Sequence, residues 1–151
     1  MDKLKDFLLE QGYYRIKLHK TVTNHFEIKA KINSVKGKFI LDTGASNSCV
    51  GFNEIETFNL NPEDSEHKAS GAGSTEIDTQ ISKKNKIKIG EFSLKKTPLI
   101  LIDLSHINNA LIKQEAKPVQ GIIGADILHK GKAIIDYDKK YLYLLPKKDK
   151  K

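Results

Sequence analysis

Tryptophan is absent from this 151-residue chain, cysteine and methionine occur once each, and Arg15 is the only arginine among 26 basic residues. Each scarcity excludes something. With Cys49 alone, an internal disulfide framework is impossible, and the composition is compatible with a reducing cytoplasm. The formal charge of +7 invites a nucleic-acid partner, yet its source is lysine scattered over the whole chain. Base-edge and bidentate phosphate recognition favours arginine clustered with aromatics on one face. Scattered lysine reads instead as a solvated surface, so no nucleic-acid partner is expected. No apolar run approaches the roughly 20 residues of a membrane span. The start, Met1 to Asp6, mixes acids with lysines before a short apolar Phe7-Leu8-Leu9, which makes a poor signal peptide and a better amphipathic helix. A cytoplasmic protein is the expectation. His19, His25, His67, His106 and His129 show no close metal-ligand spacing, no Ser-His-Asp order stands out, and no phosphate-cradling loop follows a strand. Neither a metal nor a cofactor is expected.

What is present is an ordinary globular composition, 38% hydrophobic and 30% charged, in a length that fits one core. Leu4, Phe7 and Leu8 with a stop at Gly12 predict a short helix, giving an appended segment over 1–12. From there the pattern is that of strands. Apolar and polar residues alternate over Tyr14–Leu18, Phe26–Ile32, Ile77–Ile81 and Ile87–Ile89. A hairpin turn over Asn33–Gly37 leads into Lys38–Leu41, Leu99–Ile102 reads as a buried strand, and Ala133–Ile135 and Tyr141–Leu145 form a last pair across Asp138–Lys140. Helices are expected over Ser105–Ala116 and from Ala125. Many short strands with few helices indicate a predominantly β, barrel-like domain over 13–146, followed by a frayed basic tail, 147–151.

One stretch carries chemistry: Phe39-Ile40-Leu41-Asp42-Thr43-Gly44-Ala45-Ser46. An acid directly after a buried apolar strand is costly unless its charge is compensated or used. Gly44 lets the chain turn and brings backbone amides near the carboxylate, and the Thr43 hydroxyl offers a further bond to lock the turn. The other acids after apolar strands, Asp103 and Asp136, read as solvated strand ends, and Asp126 reads as a cap or anchor of the short helix that follows. Cys49 reads as a small buried residue.

Asp42-Thr43-Gly44-Ala45-Ser46 behind three apolar residues resembles the active-site loop of aspartic proteases. Gly121-Ile122-Ile123-Gly124-Ala125-Asp126 resembles their second signature, and the glycine-rich Ser70-Gly71-Ala72-Gly73-Ser74 falls where such enzymes carry a flap hairpin. The resemblance is to the retropepsin-like, single-domain members of bacterial type. It implies an all-β acid-protease barrel with a flap and one to three short helices, and a peptide or unfolded protein bound as an added strand. It implies Asp42 as catalytic residue, Thr43, Gly44 and Ala45 as support of its loop, Ser70 to Ser74 as the substrate-binding flap, and Ile122, Ile123, Gly124 and Asp126 as structural.

The family's reaction needs two carboxylates sharing one proton and holding a water between them. No other aspartate here is followed by Thr-Gly or Ser-Gly. The resemblance therefore implies a homodimer in which Asp42 of each copy meets the other at a two-fold axis, with Thr43 bonding across it. Ala45 stands where pepsin-like enzymes usually carry serine, so one donor to the ionised pair is lost and a mildly acidic optimum is expected. A non-catalytic peptide-binding or dimerisation module on the same fold is the alternative. The helix after Asp103 and the N-terminal additions depart from compact retroviral enzymes, which leaves the contribution of Tyr141–Leu145 to a dimer interface open.

Overall fold

Two-residue alternation of apolar side chains becomes sheet along most of the molecule. The computed structural model describes residues 2–64, 69, 70, 76, 77 and 79–147. In chain order the elements are α1 (Lys3–Glu10), β1 (Tyr14–Lys17), β2 (His19–Lys20), β3 (Phe26–Ile32), β4 (Val35–Leu41) and β5 (Cys49–Gly51). A 3-10 turn at Phe52–Glu54 precedes β6 (Glu63–Asp64), β7 (Ala69–Ser70), β8 (Glu76–Ile77), β9 (Gln80–Ile89) and β10 (Phe92–Ile102). The chain ends with α2 (Ser105–Lys113), β11 (Gly121–Ile123), α3 (Ala125–Lys130), β12 (Ile134–Asp136) and β13 (Tyr141–Leu144). Among the described residues no helix is long and apolar enough to cross a membrane.

The main sheet runs β2-β3-β4-β11-β5-β10-β9-β6, and a further pairing of β3 with β9 closes the six strands from β3 round to β9 into a barrel. Closure removes the free edges that an open sheet would expose. Inside lie Ile28, Ile32, Phe39, Val50, Phe58, Ile87, Ile89 and Leu101, which are almost completely shielded from water. A second, smaller cluster of Ile40, Cys49, Leu104, Leu111, Val119 and Ile122 packs the outer side of β4, β5 and β11 against α2. β4 therefore has apolar residues on both sides at its C-terminal end, which is why Phe39-Ile40-Leu41 is an unbroken apolar run.

Several elements differ from their sequence patterns. The turn expected over Asn33–Gly37 is only Asn33-Ser34, both at positive φ (50° and 73°), and β4 begins at Val35. Two positive φ values suit the twist of a tight hairpin, and the Asn33 side chain secures it with bonds to Phe58 and Asn85. The expected strands Ile87–Ile89 and Leu99–Ile102 are fragments of one long β9–β10 hairpin. Its register shifts between Leu94 and Leu99, where Lys96 has φ 52° and Pro98 follows, and this break hides the hairpin from an alternation count. The Ile77–Ile81 strand divides between β8 and β9. α2 stops at Lys113 rather than Ala116, because the chain turns through Glu115 at φ 62°. β1, β13 and β12 form a separate three-stranded sheet with β13 in the middle, so both ends of the chain close on each other.

Candidate active site

β11 lies between β4, to which it is parallel, and β5, to which it is antiparallel. The parallel pairing sets Ile123 opposite Leu41, so Asp42 and Gly124 emerge at the same end of the barrel. The loop from β4 to β5 then crosses the end of β11, and backbone bonds tie the two signatures together. Asp42 N–H donates to the Ile123 carbonyl at 3.0 Å, and Ala125 N–H donates to the Ala45 carbonyl at 2.7 Å. Such close approach has a steric condition. A Cβ on Gly124 would stand 2.6 Å from the Ala45 carbonyl oxygen, and one on Gly121 would stand 2.3 Å from that of Cys49.

The carboxylate of Asp42 sits on this platform facing solvent. Gly44 N–H donates to its Oδ1 at 2.9 Å, and Ala45 N–H donates to its main-chain carbonyl at 3.2 Å. These two amides lock the turn. Thr43 is exposed and its hydroxyl has no partner among the described residues, so it does not supply the lock that its position suggested. Gly44 is not at positive φ either; a Cβ there would stand 3.3 Å from Asp42 Oδ1, so its glycine character keeps space beside the carboxylate.

Of the two roles expected for Asp126, cap or anchor of the short helix, the structure shows the anchor. The N-cap of α3 is Gly124, and the Asp126 carboxylate reaches across to the loop instead. Its Oδ1 accepts from both Ser48 N–H (2.9 Å) and Ser48 Oγ–H (2.7 Å), while Ser48 Oγ accepts from Gly124 N–H at 2.8 Å. Buried Ser48 and half-buried Asp126 thus clamp the Asp42 loop to the second signature. The sequence reading missed Ser48, and the pair is separated too far along the chain for any local pattern to reveal it. Ile122 and Ile123 are buried where expected, one toward α2 and the other in the barrel.

Burial pushes the Cys49 thiol up to about 12, with the negative charges of Asp126 and Asp42 acting in the same direction. A thiol held protonated in this way is a packing residue rather than a nucleophile. Asp103 Oδ1 accepts from Ser105 N–H, and bonds from the side chain and main chain of Ser105 hold its carboxyl below the usual range. Asp136 closes the β12–β13 turn by accepting from Lys139 N–H. Both acids serve turns at strand ends, as expected.

Two hollows adjoin Asp42. One of about 410 Å³ has an apolar wall of Ile40, Ile107, Leu111 and Ile122 and carries His25 and His106 beside Asp42. The other, of about 230 Å³, lies between Asp42, Phe26 and Tyr137. The two histidines come from distant parts of the chain and gave no signal in the sequence. In the expected flap, Ser70 pairs with Glu76 as β7 meets β8 in an antiparallel ladder, whereas Gly71, Ala72, Gly73 and Ser74 lie outside the described residues, as does most of the 147–151 tail. Among the described residues no group of three or more histidine, cysteine or acidic side chains could hold a metal ion.

Comparison with known proteins points the same way. The aspartyl protease family model matches residues 28–127, from β3 through the start of α3. No curated protein sequence matches the chain. Among solved structures, the chain is similar to a retropepsin-like aspartic protease from Rickettsia conorii, with 20% identity, a TM-score of 0.59, and 87% of this chain and 90% of that one covered. It is also similar to the EIAV protease, solved with the inhibitor HBY-793, at 20% identity and a TM-score of 0.54 over 74% of this chain and 91% of that one. A closed barrel with Asp-Thr-Gly at the end of one strand, and a family match over most of its length, establish that the chain belongs to the aspartyl protease family and has the retropepsin-like fold.

Proposed function

We propose that the chain is an aspartic endopeptidase whose catalytic pair is formed by Asp42 from each of two copies. The observation that carries this reading is the Asp42 carboxylate itself: solvent-facing, fixed through Oδ1 by the Gly44 amide, and seated on a loop clamped by Ser48 and Asp126. Such rigidity is what a positioned general acid or base requires. Its second oxygen, Oδ2, receives no hydrogen bond among the described residues and is available to water or to a partner.

In the dimer, one Asp42 carboxylate takes a proton from the bound water as that water attacks the scissile amide carbonyl. The other, protonated, donates to the carbonyl oxygen and stabilises the tetrahedral intermediate. Two carboxylates ~3 Å apart repel by roughly 5 kcal/mol at an effective dielectric near 20, so one of them keeps its proton; this splitting is established for aspartic proteases in general. On this reading the exposed Thr43 hydroxyl bonds across the axis to the partner's loop. The substrate lies as an extended strand between the Asp42 pair and the Ser70–Ser74 flap. The hollow walled by Ile40, Ile107, Leu111 and Ile122 takes an apolar side chain near the cleaved bond.

Digestion of a peptide library between pH 3 and 7, comparing wild type with Asp42→Asn, tests the reading. Cleavage that vanishes in Asp42→Asn while its melting temperature is kept is the expected result. No Asp42-dependent cleavage at micromolar dimer would instead indicate a non-catalytic peptide-binding module.

A further inference from the structure

Away from Asp42, five lysines surround one concavity of about 550 Å³: Lys29 and Lys31 of β3, Lys36 and Lys38 of β4, and Lys88 of β9. The strand register sets them face to face, Lys29 opposite Lys38, Lys31 opposite Lys36, and Lys31 opposite Lys88. Like charges directly opposite one another on a sheet are destabilising. Lys38 alone meets an acid, Glu27, at 3.7 Å; among the described residues the other four have no carboxylate within ion-pair distance. A surface that gathers mutually repelling cations around a hollow, in a barrel that offers acids elsewhere, is complementary to an anionic ligand.

We infer that this lysine-lined hollow is a binding site for an acidic, extended segment of polypeptide. The ligand class follows from the lining. Lysine ammoniums are point charges that pair well with single carboxylates, whereas the hollow has neither the arginine forks nor the aromatic platforms that nucleic acid favours. Its position suits a strand-like ligand as well. Alternation along β4 puts Lys36, Lys38 and Ile40 on one side, and Ile40 lines the hollow at Asp42, just past the strand's end. At ~3.3 Å per residue, Lys36 lies about 20 Å from Asp42. An extended substrate could thus present Asp or Glu residues to the lysines roughly six positions from the bond being cut. This last step, the acidic segment as part of a substrate, rests on the protease reading; binding of the segment does not.

Binding of fluorescent hexaglutamate to the Asp42→Asn protein, followed by anisotropy, is independent of proteolysis. Lys31→Gln/Lys36→Gln should weaken it about tenfold, while Lys95→Gln/Lys130→Gln, with the same net charge, should change it less than about twofold. Binding should also weaken as salt rises from about 50 to 200 mM, since exposed charges are screened over ~10 Å. No binding, equal weakening by both double variants, or tighter binding of a uridine oligonucleotide of matched charge would each overturn the assignment. For the active protein, adding an acidic stretch to a cleaved peptide should lower KM and leave kcat unchanged. If the binding arm succeeds and no peptide is cut, the acidic site stands and the protease reading falls.

Discussion

Asp42 depends on a neighbour that never touches its carboxylate. Asp126 satisfies two donors of the buried Ser48, and Ser48 in turn satisfies Gly124 N–H. Asp126→Ala orphans the Ser48 amide, a desolvated donor whose loss of partner costs ~1–3 kcal/mol. The expected outcome is a urea midpoint lowered accordingly and a drop in kcat, with Asp126→Asn, which keeps an acceptor oxygen, losing less of both. Gly121→Ala should be comparably harmful, because its Cβ would meet a main-chain oxygen of β5 at 2.3 Å and backbone has little room to yield; overpacking of this kind costs ~1–3 kcal/mol. The catalytic candidate was legible because Asp-Thr-Gly is contiguous and follows an apolar strand. Its clamp was not, since Ser48 and Asp126 meet only once β5, β11 and β4 lie side by side. Ala45 was legible too, and its lack of a hydroxyl predicts a pH–rate profile peaking in the mildly acidic range; a peak below about pH 3 would contradict that assignment.

The elements most easily read were those with unbroken alternation, β3 above all, whose burial switches at every residue. β9 and β10 were read only in fragments, because the irregularity around Lys96 and Pro98 changes which side each residue faces. The terminal sheet was legible as separate strands but not as a unit, since nothing in Tyr14–Lys17 names β13 as its neighbour. β13 is flanked by β1 and β12 of its own chain, so it has no free edge to lend to a second copy. Beside the buried Leu8, the acid Asp2 ties α1 to this sheet. Asp2 caps α1 by accepting from Lys5 N–H, and its Oδ2 meets Lys139 at 3.1 Å and Arg15 at 4.0 Å. The Lys5 amide first, and Lys139 second, hold the Asp2 carboxyl below its ordinary value of 3.8. A lowered folded value means that the contribution of Asp2 is present above that ordinary value and lost as pH falls through the lowered one. Asp2→Asn should therefore melt earlier than wild type at pH 6, and the two curves should converge near pH 2. A gap that persisted at pH 2 would mean that the carboxylate charge is not what fastens α1.

At the scale of the whole molecule, the proposed chemistry and the electrostatics pull in opposite directions. The proposed reaction needs two Asp42 carboxylates and each chain brings one such loop, yet each copy carries a formal charge of +7. Two such bodies repel, and screening relieves the repulsion. Sedimentation should therefore show association strengthening with moderate salt, the opposite of the salt response expected for an acidic peptide in the lysine hollow. Mixing separates a shared site from a self-contained one more directly. If wild type and Asp42→Asn exchange freely, heterodimers carry one competent carboxylate and cannot share a proton across a pair. Activity then follows the square of the wild-type fraction, so an equal mixture at fixed total protein retains about a quarter of the rate, the share of purely wild-type dimers. A site complete within one chain would retain about half. The same mixture with Lys31→Gln/Lys36→Gln in place of Asp42→Asn should show no such dominance on a neutral peptide, because those lysines stand outside the catalytic pair.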